Sequence, residues 1–281
     1  MKRFLLRPNP EKDCGLAGTK AAAAFLTERG AQLFMEEEYR AYQEIPGVQY
    51  CPFGQAERQA ECVLVFGGDG TLLQTAHQTE LPLLGMNFGH LGFITELKKG
   101  ETELFSRLLE DDYRIDRRMM LSCVRVRGEE RTKPFYALND IVISRGGGSH
   151  MIRLNLQIDG DYAETYLADG LVVSTPTGST AYALSAGGTI LEPDVEAVEI
   201  TPICPHMLRA RPLVVSSKRT VSLLPVENSM LHVSADGVQL YEAGEGDRLE
   251  ICRAEKETKL IRLQSRSFYD ILHEKLGSDK S

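Results

Sequence analysis

Hydrophobic and polar positions change rhythm once along the 281-residue chain, near Arg114. Before that point, short unbroken apolar runs alternate with stretches of helical character. Residues 4–6 read as a short strand that stops at Pro8-Asn9-Pro10. Residues 16–29 contain four consecutive alanines and no proline, which predicts a helix closed by Gly30. A strand follows at 31–35. Residues 62–66 are apolar without interruption, the pattern of a strand covered on both faces. A helix is expected after Thr71 to about Gln78, a strand at 81–86 and a helix over 102–109. Strands alternating with helices predict a parallel sheet with helices on its faces. Ligands of such sheets sit at the carboxyl ends of the strands.

After Arg114 the helices drop out. Ile152, Leu154, Leu156 and Ile158 alternate with Arg153, Asn155, Gln157 and Asp159, a half-buried antiparallel strand ending in an Asp159-Gly160 hairpin turn. Further strands are expected at 171–174, 213–216, 221–224, 231–235, 249–252 and 260–263, with turns at Asp236-Gly237 and Gly244-Glu245-Gly246-Asp247. Near the end, Phe268, Ile271, Leu272 and Leu276 return to helical spacing. The expected fold is therefore α/β: an N-terminal Rossmann-like parallel βαβ domain over 1–114 and a mostly-β domain over 115–264. A helix and tail over 265–281 are expected to pack back on the first domain.

Composition narrows the function classes. Hydrophobic residues make up 42% of the chain, enough for a real core, and the formal charge of −8 disfavours bulk non-specific binding to nucleic acid. The six cysteines form no C-x-x-C pair and the six histidines no H-x-x-x-H, so no structural zinc site is expected. Scattered cysteines fit a reducing cytosol. The run Phe4-Leu5-Leu6 is too short for a signal peptide, and no run approaches membrane-spanning length. A cytoplasmic protein with no membrane partner is the expectation.

Three segments carry candidate chemistry. In the first, Val63-Leu64-Val65-Phe66 runs into Gly67-Gly68-Asp69-Gly70-Thr71. Glycines let backbone approach a ligand, and successive N–H groups in such a turn can face an anion. Asp69 would repel a phosphate, so it calls for a separate job, proton abstraction or holding Mg²⁺. The segment is not a P-loop, because no Gly-Lys-Ser/Thr follows. The alternative is a plain glycine-rich turn with Asp69 exposed.

The second segment is Asp169-Gly170-Leu171-Val172-Val173-Ser174-Thr175-Pro176-Thr177-Gly178-Ser179-Thr180-Ala181-Tyr182. Its strand leads into five hydroxyls and a helix start that Ser179 or Thr180 could cap, making an anion site. The alternative is a turn whose hydroxyls bond their own backbone. Gly187-Gly188 downstream suggests a close backbone approach. In the third segment, Asn139-Asp140 precedes an apolar strand: an amide suits a purine edge and a carboxylate suits ribose hydroxyls, against the alternative of an ordinary turn. Cys204-Pro205-His206 reads as a loop with a satisfied histidine. Arg117-Arg118 and Arg209/Arg211 read as surface charges, with a smaller share for phosphate binding.

In this order and spacing the segments resemble the NAD kinase family. Its pattern of GGDGT, Leu-Gly-Phe, Asn-Glu or Asn-Asp, and a long DG…STPTGSTAY…S-x-GG stretch is matched by residues 67–71, Leu91-Gly92-Phe93, Asn139-Asp140 and 169–188; 201–206 and Asp236-Gly237 also look like family segments. The resemblance implies transfer of the ATP γ-phosphoryl group to the 2′-hydroxyl of the adenosine ribose of NAD, with a homodimer or homotetramer as the assembly. It assigns Asp69 as the base, and Gly67, Gly68, Gly70 and Thr71 to the ATP phosphates. Mg²⁺ or another divalent cation is held mainly by phosphates and water, with polyphosphate as another conceivable donor. It assigns Asp69, Gly70, Phe93, Asn139, Asp140, Asp169, Thr180, Ala181, Tyr182, Ser185, Cys204 and Asp236 to NAD, with Asp236 supplied by a neighbouring subunit. It also requires that 67–71 from the first domain and 169–185 from the second converge on one interdomain cleft.

Three positions depart from the pattern. The pair is Asn-Asp, the less common form, Cys204 stands where a small residue is usual, and the polar segment 36–59 matches nothing in the family pattern. Two alternatives remain: a lipid or sphingoid-base kinase using a similar GGDG turn, and a dinucleotide sensor that keeps the pocket without turnover.

Overall fold

No residue of strand β4 (Cys62–Gly67) reaches solvent, and the first sheet is built around it. The computed structural model describes residues 1–89, 92–146, 150–226 and 230–277. The chain divides into two units, residues 1–117 with 258–281, and residues 118–257. The returning segment thus begins at Thr258 rather than at 265.

In the first unit β4 lies between β1 (Arg3–Pro8) and β5 (Leu83–Asn87), and β2 (Gln32–Met35) and β3 (Val48–Tyr50) extend the sheet beyond β1. All four pairings are parallel, in the order β3-β2-β1-β4-β5. Helix α1 (Ala17–Glu28) connects β1 to β2, α2 (Phe53–Gln59) connects β3 to β4, and α3 (Asp69–Ala76) connects β4 to β5. The chain therefore moves outward in one direction from β1 and in the other from β4. The crevice between their carboxyl ends is the topological switch point of the sheet. The Asn9 N–H donates to Phe66 O at 2.7 Å and fixes the two ends side by side.

Local chemistry sets these boundaries. Leu16 has a left-handed φ of 53°, so α1 starts at Ala17. Its first N–H groups are taken up by Asp13, whose buried carboxylate accepts from Gly18 N, Thr19 N and Thr19 Oγ1 at 2.6–2.9 Å. Gly30 ends the helix at φ 80°. Helix α3 starts at Asp69 and stops at Ala76, earlier at both ends than the expected helix after Thr71 to about Gln78. Phe4, Leu33, Leu64, Phe66, Leu84 and Phe105 form the centre of the core, with the Phe66 and Phe105 rings edge-on at 6.4 Å. Each such side chain contributes about 1.5–3 kcal/mol by burial.

The segment expected to match nothing contains a 3₁₀ turn (Glu37–Ala41), β3 and α2. The returning segment is tied down by Glu96, whose buried carboxylate accepts from Leu263 N at 2.8 Å and Gln264 N at 2.7 Å and pairs with Arg262 at 3.2 Å. The C-terminal helix Phe268–Leu276, opened by a Ser267–Asp270 capping box, packs Phe268 against Phe93 with ring centroids 6.3 Å apart. The expected return of this helix to the N-terminal domain is what the fold shows.

The second unit is antiparallel. Six strands run in the order Leu213–Ser216, Ala197–Ile203, Gly170–Ser174, Asp140–Arg145, Leu231–Ala235 and Val238–Ala243. A second set pairs Asp161–Ala168, Ile152–Ile158 and Val221–Val226. Alternation along 152–158 buries Ile152, Leu154 and Leu156, which join Ile141, Leu171, Val173, Val198 and Val233 in one core. Asp159-Gly160 and Asp236-Gly237 each have two positive φ values, the geometry of a type I′ hairpin. The runs at 249–252 and 260–263 are not two strands but parts of one, Arg248–Arg262. No helix among the described residues is long and apolar enough to cross a membrane.

Candidate functional site

Strand β4 delivers Gly67 and Gly68 to the switch point and α3 begins at the next residue. The first backbone bond of α3 runs from Leu72 N to Gly68 O at 3.0 Å. The N–H groups of Asp69, Gly70 and Thr71 precede it and project from the helix start, where an anion is favoured. The plain-turn alternative had Asp69 exposed. Instead its carboxylate turns back and is held: Oδ2 accepts from Phe93 N at 2.8 Å, and Oδ1 from Thr95 N at 3.2 Å and Thr95 Oγ1 at 2.9 Å. These three bonds use three of the roughly four lone-pair positions of a carboxylate, leaving room for one more donor.

Neighbours of this carboxylate come from distant sequence. Gly92 lies so close that a Cβ there would overlap it. Thr95 Oγ1 also accepts from Asn87 Nδ2 at 3.2 Å and Gly92 N at 3.1 Å. Gly68 and Asp69 open on a cavity of 470 Å³, also lined by Lys12, Asn87, Phe88 and Lys275. Two ammonium groups and a helix N-terminus make it a place for negative charge. Lys12, Asn87, Thr95 and Lys275 were not singled out from the sequence; no local motif marks them, and only the fold brings them to Asp69. Asn9, part of a strand stop in the sequence, also donates from its Nδ2 to Thr71 Oγ1 at 3.1 Å. Phe93 is half-buried beside this group, and Leu91 of the Leu-Gly-Phe segment lies outside the described residues.

In the second unit, Asn139 and Asp140 stand at the start of strand Asp140–Arg145. Asp236, in the hairpin turn at φ 49°, clamps them from its own chain. Its carboxylate accepts from Leu138 N at 2.8 Å, Asn139 N at 2.8 Å and Asp140 N at 3.0 Å. It therefore binds the backbone of its own subunit's Asn-Asp pair. The Asp140 side chain is buried, and burial, with the charge of Asp236 as a second cause, pushes its carboxyl up to about 7.

The hydroxyl-rich segment is largely committed to its own turn. Thr175 Oγ1 donates to Leu138 O at 2.6 Å, Ser179 Oγ to Pro176 O at 2.7 Å, and Thr180 Oγ1 to Thr177 O at 3.2 Å. Thr175 N donates to Asn139 O at 2.8 Å, so this turn and the Asn-Asp pair form one block. Gly178 fits there because a Cβ would overlap the Asn139 backbone, and a Cβ on Gly188 would press on Ala183 O, the close approach expected at 187–188.

The expected capped helix is corrected. A 3₁₀ turn (Gly178–Thr180) leads to only four helical residues, Tyr182–Ser185, with Ala181 at the cap and no side-chain cap bond. One turn is too short to present a helix-terminus anion site. Thr180 and Ala181 are half-buried, and Tyr182 and Ser185 exposed. Asp169 faces Arg145 at 3.5 Å. Cys204 is exposed at φ 44°, and all six cysteines are free. Arg118 is not a surface charge: it is buried and donates to Thr177 Oγ1 at 3.2 Å. Glu199, also unflagged by the sequence, is buried beneath the segment and accepts from Thr189 N. Among the described residues no group of three or more His, Cys, Asp or Glu side chains could hold a metal ion.

Comparison with known proteins covers both units. Residues 21–113 match the ATP-NAD kinase N-terminal domain and residues 138–263 the ATP-NAD kinase C-terminal domain. The NAD kinase of Thermoanaerobacter sp. (strain X514) is 37% identical over 98% of this chain and 99% of its own length. Among solved structures, yeast NADH kinase complexed with NADH superposes with a TM-score of 0.88 at 24% identity, covering 100% of this chain and 89% of that one. An NAD kinase from Archaeoglobus fulgidus in complex with ATP gives 0.76 at 23% identity, covering 98% and 99%. At these identities the two structures establish a shared fold.

Proposed function

The chain belongs to the NAD kinase family, and on that premise we propose that it transfers the γ-phosphoryl group of ATP to the 2′-hydroxyl of the adenosine ribose of NAD, giving NADP. The observation that carries the reading is Asp69. It is a carboxylate fixed by three hydrogen bonds, with acceptor capacity to spare, at the start of a helix whose free N–H groups suit phosphate.

Phosphoryl transfer needs positioning and charge neutralisation more than covalent chemistry. In this reading Gly67, Gly68, Gly70 and Thr71 carry the ATP phosphates. Lys12 and Lys275, which line the same cavity, offset part of their charge. Asp69 accepts the proton of the 2′-hydroxyl as its oxygen attacks the γ-phosphorus, help worth about 10²–10⁴ in rate. A Mg²⁺ ion held mainly by phosphates and water needs no all-protein cage, which agrees with a site that offers none among the described residues. The ion would neutralise charge on the transferring group.

Asn139 meets the adenine and Asp140 the ribose. Asp169, Thr180, Ala181, Tyr182, Ser185, Cys204 and Phe93 serve the rest of the dinucleotide. Asp236 contributes by holding Asn139 and Asp140 in place. A homodimer or homotetramer in the cytoplasm completes the reading.

The test is to combine the purified protein with NAD⁺, ATP and Mg²⁺ and follow NADP⁺ with an NADP-specific dehydrogenase, running Asp69→Asn in parallel. Turnover by the wild type and its collapse in a folded variant are expected. NAD binding without turnover would leave a sensor. Loss of both would reopen the lipid-kinase alternative.

A further inference from the structure

The proposed reaction gives the donor's phosphates a place and leaves its base without one. Helix α3 has cavities on two sides. One holds Asp69. The other, of 530 Å³, lies toward β1 and is lined by Arg7, Asn9, Thr71, Gln74, Tyr39 and Tyr42. Thr71 belongs to both the phosphate turn and this second cavity. A molecule whose anionic end meets the α3 N-terminus can therefore extend into the cavity without leaving the carboxyl edge of the sheet. That edge, between β1 and β4, is the switch point at which open α/β sheets bind nucleotides.

The chemistry of the walls is specific. Tyr39 lies in the 3₁₀ turn Glu37–Ala41 and Tyr42 caps its end, within the segment 36–59 to which the proposed reaction assigns no residue. Their ring centroids are 6.4 Å apart at 38°. Tyr39 is buried, while Tyr42 is 63% exposed. The turn is anchored rather than loose. Arg7 of β1 pairs with Glu36, both side chains being mostly buried, and the Arg7 guanidinium lies over the Phe53 ring at 5.1 Å. An exposed ring on an anchored turn, in a cavity also lined by Asn9, Glu11 and Gln74, offers a flat apolar face with polar side chains beside it. A purine needs both: a π surface to stack on and hydrogen-bonding groups around its edge. The volume lies within the range of small-molecule sites.

We propose that this cavity receives the purine base of the phosphoryl donor, with the Tyr42 ring against the base and the triphosphate running past Thr71 to the first turn of α3. The proposal rests on the kinase reading for its choice of ligand. It makes the segment 36–59 a donor-recognition element, and it makes ATP a better donor than a base-free polyphosphate.

Two ligands separate the base from the phosphates: ATP and inorganic tripolyphosphate. Their binding to the full chain is measured by titration calorimetry for wild type, Tyr42→Ala and Tyr42→Phe, alongside the KM values for ATP and NAD. Tyr42→Ala is expected to weaken ATP binding and raise its KM roughly five- to a hundredfold, the scale of one base–aromatic stack. Tripolyphosphate binding and the KM for NAD stay at wild-type values, and Tyr42→Phe, which keeps the ring, behaves as wild type. Unchanged ATP affinity in Tyr42→Ala overturns the proposal, as does equal weakening of ATP and tripolyphosphate. If the wild type makes no NADP but Tyr42→Ala still loses ATP selectively, the base site stands and the kinase reading falls.

Discussion

Gly92 and the Asp69 carboxylate occupy adjoining space so closely that a Cβ on Gly92 would overlap the carboxylate itself. The demand for glycine here is one of space. Gly92→Ala must push the carboxylate away from Phe93 N and Thr95 or distort the loop that carries them. A displacement of about 1 Å at a reacting group can cost ~10² in rate. We expect kcat to fall by about 10² or more in Gly92→Ala. Adding Asp69→Asn should lower it little further, because the two act through one group. Wild-type kcat in Gly92→Ala, with the substitution confirmed, would refute the view that Asp69 must sit where the structure has it.

Thr95 tests the same support from the other side. Its hydroxyl donates to Asp69 and accepts from Asn87 and Gly92, all in a buried spot. Thr95→Val keeps the shape and removes every one of these bonds. The stranded Asn87 and Gly92 donors should cost about 1–3 kcal/mol of stability, read as a lower midpoint in urea unfolding, together with reduced kcat. Thr95→Ser should restore both. If Val proves as stable and as active as Ser, the hydroxyl is not the hub of the site.

Asp236 offers a separate handle on the dinucleotide side. Removing its carboxylate frees three backbone N–H groups at 138–140 and loosens the strand start that aims Asn139 and Asp140. Asn tolerates the left-handed backbone at this turn, so Asp236→Asn isolates the change in hydrogen bonding from backbone strain. The expected result is a KM for NAD raised several-fold while the KM for ATP holds. Steady-state kinetics with each substrate varied in turn decides it; a rise in both KM values would mean that the turn supports the whole unit rather than the Asn-Asp pair.

What the sequence disclosed follows from how local each signal is. The unbroken apolar run at 62–66, the alternation at 152–158 and the Asp-Gly turns depend on neighbours only, and each appears in the structure where expected. Helix α3 starts at Asp69 rather than after Thr71: glycines lower helix propensity at 68 and 70, yet the fold needs only Gly68 to be extended, at φ −160°. Arg117 and Arg118 look alike as charges, yet in a strand consecutive side chains face opposite ways, so Arg117 is exposed and Arg118 buried. Strand 248–262 looks like two in the sequence because its middle, Arg253 to Glu257, is mostly charged. The partners of Asp69 at 93 and 95, and Lys275 from the last helix, become neighbours only through the parallel sheet and the returning segment, and no spacing rule reaches that far.

Asp140 makes folding itself pH-dependent. Its carboxyl is buried beside the charge of Asp236 and is raised to about 7 in the folded chain, against about 3.9 when unfolded. Between these values the folded state keeps a proton that the unfolded state has lost. Stability from this group is therefore full below the unfolded value, declines as pH rises through the window, and levels off above about 7. The slope within the window is about 1.4 kcal/mol per pH unit. Asp140→Asn supplies a neutral side chain of the same shape at every pH and should abolish this decline. Urea unfolding of wild type and Asp140→Asn at pH 5, 6, 7 and 8 measures it directly: the variant should gain on wild type from pH 5 to 7 and then hold a constant difference. Parallel profiles across the whole range would mean that Asp140 is already ionised in the folded protein, and that its ribose contact is made by a carboxylate rather than by a carboxylic acid at the lower end of that range.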